Sequence, residues 1–392
     1  MDQETRSAFL RRAMPMFVFS LMLRPLVTNV GPVLPEIRAE FGMTAAQGSL
    51  LTTLPIVCFG LGSFFVPRLL AKRSPNTVVA LVLLVLTTAG LIRLIPNIGA
   101  LLAGTVVIGL AIAVGNVTMS VVNRRDFTYK LGWITGLVTA GISVSASFAA
   151  LTSFPISNAF GTWRVSMAMW ALLPLATLAL WKTYKPSEPD VPLPSSIHVS
   201  KLIRNKMAWG LLFYFGLQSS MYYSMVTWMP SILRDAGLSP ENAGSMVALL
   251  TFFGIPTGLL VPPLAARVKS QVGLSLLFVG VGMLGMCGLL WSPTHLTALW
   301  AIMLGCALGS TFPLSLTLVL LRSDGPATAR DLGTMMQGGG YFISALGPFL
   351  LGAVHDKTNS WHIALVGLLV AMAVQAAVGV YVSRPIVVHE EN

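Results

Sequence analysis

The sequence predicts an all-α membrane protein, with twelve transmembrane helices arranged as two six-helix, pseudo-symmetric bundles. Three observations carry that expectation. Only 10% of the 392 residues are charged while 55% are hydrophobic, against roughly one-quarter charged in a soluble domain. Apolar stretches of about 20 residues, long enough to cross a bilayer at the helical rise, recur from one end of the chain to the other. One long polar segment, 184–206, rich in Pro and Ser and ending in basic residues, separates six such stretches from six more. The expected organisation is therefore a bundle over 1–183, a cytoplasmic linker over 184–206 and a second bundle over 207–392.

The first span, 14–34, follows Arg6, Arg11 and Arg12 and has no small-residue cleavage site, so it reads as a retained helix and not as a secretory signal. Arg24 stands near its middle. A guanidinium at that depth costs roughly 2.5–3.5 kcal/mol on insertion scales, so it should face a protein interior or an aqueous cavity. Ser20, Arg24 and Thr28 fall at i, i+4 and i+8 and predict one polar helix face, with Asn29 off that stripe. Spans 47–70 and 77–96 follow. Arg93, near the outer end of the latter, is expected to snorkel to the interface, with a part in an outer gate as the lesser alternative.

Span 99–122 holds Asn116 between Gly115 and, one turn on, Ser120. So deep an amide needs hydrogen-bond partners, from a solute or from a neighbouring helix. In span 132–156, Thr135, Thr139, Ser143 and Ser147 step by four beside Gly132 and Gly136, a small-residue face that predicts close helix packing. Span 163–182 completes the first set. In span 207–229, Tyr214, Gln218 and Tyr222 repeat the spacing seen around Arg24, and Tyr223 is a candidate beside them. Spans 242–266, 271–291 and 296–321 precede span 332–354, where Gln337, Tyr341 and Ser344 form a stripe, and span 361–383 ends the series.

Charge placement supplies a topology. The net charge is +11, but the basic residues are distributed over alternate loops and not along one face, which argues against nucleic acid as a partner. The segments expected on one side hold 19 of the 25 Lys and Arg, so the positive-inside rule puts both termini in the cytoplasm. The three cysteines lie in separate spans and make no disulfide framework or metal pattern, and no cofactor is expected. An offset of 195 places Pro35 on Pro230, Gly42 on Gly237, Val66 and Pro67 on Val261 and Pro262, and Thr28 on Tyr223, which reads as a duplication.

The residues "LRP" (23–25), "LLTTLP" (50–55), "GNV" (115–117) with "RRDF" (124–127), "YY" (222–223) with "WMPSIL" (228–233), "GP" (347–348) and "HD" (355–356) resemble the major facilitator superfamily, in particular its cyanate and nitroimidazole permease branch. The resemblance implies a midplane cavity between two halves, lined by the sets to which spans 1, 7 and 11 belong, in a monomer of the inner membrane. One departure stands out. The loop after span 2 reads "VPRLLAKRSPN" (66–76), with basic residues and no acid, where facilitators usually carry an Asp.

These readings converge on a transporter of a small polar or anionic solute, cyanate, nitroimidazole or a small organic anion, working by alternating access. The candidate contacts are Arg24, Thr28, Asn29, Asn116, Gln218, Tyr222, Tyr223, Gln337 and Tyr341. The alternative for Arg24 is a structural tie to carbonyls or a carboxylate. A multidrug efflux permease is the alternative function, disfavoured because no span has a carboxylate or histidine in its core to carry a proton. HExxH, GxSxG and paired intramembrane aspartates are absent, which argues against an intramembrane enzyme.

Overall fold

The structure is a computed structural model that describes residues 3–127, 131–186 and 202–388; most of the expected linker lies outside the described residues. The described residues are helical, without a β-sheet. A first group comprises α1 (Gln3–Ser20), α2 (Pro25–Thr28), α3 (Val30–Phe41), α4 (Ala45–Leu70), α5 (Pro75–Ile92), α6 (Ile98–Asp126), α7 (Leu131–Phe160) and α8 (Trp163–Trp181). A second comprises α9 (Lys206–Asp235), α10 (Pro240–Arg267), α11 (Val272–Trp291), α12 (Thr297–Leu321), α13 (Pro326–Thr358) and α14 (Trp361–Val382).

Ten segments are long and apolar enough to cross a bilayer, the succession α1–α3 counting as one. Helices α9 and α13 are long enough, at 30 and 33 residues, but are less apolar. They carry the stripes around Gln218 and Gln337. Large apolar side chains such as Leu260, Leu277 and Leu284 stay exposed away from the interior of the bundle, as suits a surface solvated by lipid tails.

The first span corrects the expectation of a single helix over 14–34. Pro25 and Pro32 lack an N–H, so the carbonyls of Leu21 and Thr28 lose their helical donors and the chain breaks on either side of α2. Arg24 sits in the first break with non-helical φ −133° and ψ −35°. Ser20, Arg24 and Thr28 therefore do not form one continuous helical stripe.

Duplicated geometry relates the two groups. Glu40 and Asp235 stand 195 positions apart, and each accepts a 2.7 Å bond from the indole N–H of a tryptophan, Trp163 or Trp361, that opens the last helix of its group. Gly42 and Gly237, at the same offset, both adopt positive φ, 60° and 102°, where a side chain would be strained. At the opposite end Asn76 and Gln271, again 195 apart, accept from Arg125 and Arg322.

The groups meet chiefly through α4 against α13 and α7 against α10. At the end where α3 finishes they are sealed. Val30, Val33, Leu34 and Ile37 of α3 share a buried apolar cluster with Met221, Met225, Trp228 and Met229 of α9. Gly31 permits this approach, since a Cβ there would lie 2.3 Å from the Val226 carbonyl oxygen. Glu36 pairs with Arg234 at 2.9 Å, the Thr227 hydroxyl donates to that of Thr52 at 2.9 Å, and both Asp356 carboxylate oxygens accept amides at the start of α4, from Ala45 and Ala46, each at 2.7 Å.

Candidate functional site

Between the two groups lies a cavity of about 1180 Å³. Its walls run from Arg24, Tyr223 and Tyr341 to the exposed residues Arg124, Asp324 and Arg330, at the end of the molecule where α1 begins and α14 finishes. The sealed end closes the other side.

Arg24 reaches this space because the break before Pro25 releases it from the helix. Its Nη1 donates to the Tyr223 hydroxyl at 2.5 Å, and its guanidinium carbon lies 5.7 Å from the Tyr223 ring centre and 6.0 Å from that of Tyr222. No ion pair among the described residues involves Arg24. A positive charge held by a phenol and two ring faces keeps donors for an anion.

Aromatic walls extend the site across both groups. Phe59 of α4 packs at 5.5 Å against Tyr341 of α13 and at 6.3 Å against Tyr223 of α9, and Tyr341 stands edge-on to Phe215 at 5.0 Å. Asn116 and Gln337 line the same space, and neither side-chain amide has a partner among the described residues. Gln218 also borders it, but its amide is committed, donating to the Leu308 carbonyl at 3.0 Å and accepting from Ser219 at 2.9 Å.

Seven of the nine residues singled out from sequence thus come together: Arg24, Asn116, Gln218, Tyr222, Tyr223, Gln337 and Tyr341. Thr28 and Asn29 do not. Thr28 is buried with its hydroxyl turned to the Arg24 carbonyl at 3.3 Å, and Asn29 is buried off the cavity wall with both amide atoms unpartnered. Straight-helix spacing predicts Thr28 on one stripe with Arg24; the backbone bond from the Thr28 amide to the Arg24 carbonyl remains, at 3.1 Å, but Arg24 itself leaves helical geometry, so the two side chains do not share a face. Phe59 and Phe312 line the cavity unforeseen, because an aromatic residue in an apolar span carries no distinguishing sequence signal. Thr139 and Ser143 line it too, while Ser147 on the same face bonds Thr251 of α10 at 2.7 Å, so the packing expected of that face is part of its role.

The sequence profile of the Major Facilitator Superfamily matches residues 16–348. The chain belongs to the major facilitator superfamily. It is 32% identical over 365 residues to the 2-nitroimidazole transporter of Escherichia coli (strain K12), covering 92% of both chains. It is 32% identical over 350 residues to the cyanate transport protein CynX of the same organism, covering 88% of this chain and 90% of the relative. Among solved structures it superimposes on a bacterial homologue of the human lysosomal transporter Spinster with a TM-score of 0.77, covering 98% of each chain at 15% identity.

One feature of this facilitator departs from expectation and another agrees with the missing acid after span 2. Arg93 does not snorkel: it is 1% exposed and donates from Nη1 to the Leu26 carbonyl at 2.8 Å, inside the broken first span. Arg68, Lys72 and Arg73 make no ion pair among the described residues, whereas Arg125 chelates Asp126 at 3.0 and 2.9 Å and bonds Asn76, and the Tyr184 hydroxyl donates to the same carboxylate. At this end of the first group the carboxylate that is engaged is therefore Asp126, at the end of α6.

Proposed function

We propose that this facilitator carries a small, flat anionic or polar solute, of the cyanate, nitroimidazole or small organic anion class, by alternating access. The observation that carries this reading is Arg24, a guanidinium deep in an aromatic-walled cavity, bonded to a phenol and paired with no carboxylate among the described residues. An anion entering there meets a fixed charge, the free amides of Asn116 and Gln337 and ring faces of Tyr222 and Tyr341 suited to a planar body. The names of the two relatives support the substrate class.

In this reading residues 1–183 and 207–392 are six-helix halves joined by 184–206, with twelve crossings of the inner membrane and both termini in the cytoplasm. The cavity then opens inward and the seal at Glu36–Arg234 and Asp356 faces outward. Rocking of the halves about the Arg24 site would exchange the open end for the closed one.

Multidrug efflux is favoured by one feature, the size of a cavity lined with aromatic residues. A thermal-shift screen of the purified protein against cyanate, 2-nitroimidazole, benzoate and bulky neutral aromatics separates the two. Stabilisation by the first three, lost in Arg24→Ala, is the expected result; stabilisation by the neutral aromatics alone, unchanged in Arg24→Ala, contradicts it. Saturable uptake with counterflow in proteoliposomes then distinguishes a carrier from a pore.

A further inference from the structure

Burying Arg93 in the first group is costly, since a guanidinium carries a charge that water would otherwise solvate. No ion pair among the described residues involves it, and its Nε and Nη2 are buried without partners. What it touches is specific. Helix α2 is closed by amides of Thr28 and Asn29 bonding to the carbonyls of Arg24 and Pro25, and among the described residues no backbone donor across the break serves the Leu26 carbonyl. In a bilayer interior an orphan carbonyl costs several kcal/mol. Arg93 supplies its donor from α5, 67 residues along the chain, at 2.8 Å.

The neighbouring helix accommodates that reach. A Cβ on Gly104 of α6 would lie 2.7 Å from the Arg93 Cγ, so the glycine clears a path for the arginine stem. Leu26 is two residues from Arg24, and the whole of α2 is four residues long. So short a helix has no rigidity of its own. Its direction, and with it the direction of Arg24, is set by what grips it from outside.

We infer that Arg93 is a positioning residue for Arg24: by gripping the Leu26 carbonyl it fixes the broken segment so that the Arg24 guanidinium enters the cavity beside Tyr223. This rests on the proposed role of Arg24 in anion capture, but its geometry is testable without a ligand. In a background with Cys58, Cys287 and Cys306 replaced by Ala, Arg24→Cys and, separately, Asn116→Cys report on two points of the cavity wall through mixed-disulfide formation with 2-sulfonatoethyl methanethiosulfonate, methanesulfinate leaving. Adding Arg93→Met should slow reaction at position 24 by about tenfold, the scale of one lost hydrogen bond to a charged group. Arg93→Lys should restore most of the rate, and position 116 should be unaffected by either.

A rate at position 24 that stays within about twofold overturns the inference; so does a parallel fall at 24 and 116, which reports general loosening. A second arm reads function by a double-mutant cycle with benzoate as the probe. Arg93→Met should weaken binding when Arg24 is present and have no further effect in Arg24→Ala. Equal losses in both backgrounds contradict positioning through Arg24. If Arg24→Ala itself leaves benzoate binding intact, the functional proposal fails and the thiol-modification rates still decide the role of Arg93.

Discussion

Asp356→Ala should shift this protein away from the conformation described here. Asp356 lies in the last turn of α13 and belongs to the second group, yet its two oxygens accept the Ala45 and Ala46 amides that open α4 in the first, at 2.7 Å each. Those amides have no partner within their own helix, and the helix dipole adds to the attraction for a carboxylate. Locally, Thr44 and Gln47 already cap the same helix end, with bonds of 3.0 and 3.2 Å, so α4 should survive the loss. What the substitution removes is the tie between groups. Asp356 is exposed, so water competes for it, and removing an N-terminal cap of this kind costs about 1–2 kcal/mol.

A change of that size alters a two-state ratio by a factor of roughly 5–30. Spin labels at Asn158→Cys and Asn242→Cys, exposed positions near the sealed end on α7 and α10, would report it as a longer-distance population by electron–electron double resonance. Acid should mimic the substitution. Burial opposes the charged form of Asp356, but the Ala46 and Ala45 amides outweigh it and hold the carboxyl below its ordinary value. The tie is therefore complete above the ordinary carboxylate range and is lost as pH falls through the lowered value. Distance distributions identical in wild type and Asp356→Ala at neutral pH would refute the reasoning.

Other substitutions test the rest of the assembly. Tyr223→Phe removes the acceptor of the Arg24 bond and should change anion affinity by roughly tenfold, read by thermal shift, with an unchanged affinity denying the phenol any part in the site. Gly31→Ala drives a methyl into the Val226 carbonyl at 2.3 Å; it should cost about 1–3 kcal/mol and lower the unfolding temperature by several degrees, and a silent substitution would mean that α3 and α9 do not meet so closely. Glu36→Gln breaks a partly exposed pair and should change stability by less than about 1 kcal/mol, so a large loss in the same assay would show that the seal depends on charge more than on apolar packing. Ser147→Ala should weaken the α7–α10 contact by about 1 kcal/mol without altering anion affinity, both measured in the same thermal-shift titrations.

Much of this protein was legible from one dimension. Helices that must satisfy every backbone group inside a bilayer announce themselves as long apolar runs, so the helical class follows from composition and periodicity alone. Arg24 was legible for the same reason: a charge among apolar residues is conspicuous, and its cost implies a use. The 195-residue offset pointed to Tyr223, which the structure brings to 2.5 Å from Arg24.

Three-dimensional packing decided the rest. Periodicity assumes a straight helix, and the prolines at 25 and 32 break that assumption, which is why Thr28 and Asn29 turn from the cavity that Arg24 enters. Spacing along one helix also says nothing about partners on another. Only the fold brings Arg93 to the Leu26 carbonyl, Phe59 to Tyr341, and Asp356 to the opening of α4 more than 300 residues away in the chain. Contacts of that kind depend on how helix faces meet, and the sequence names the faces without saying which of them touch.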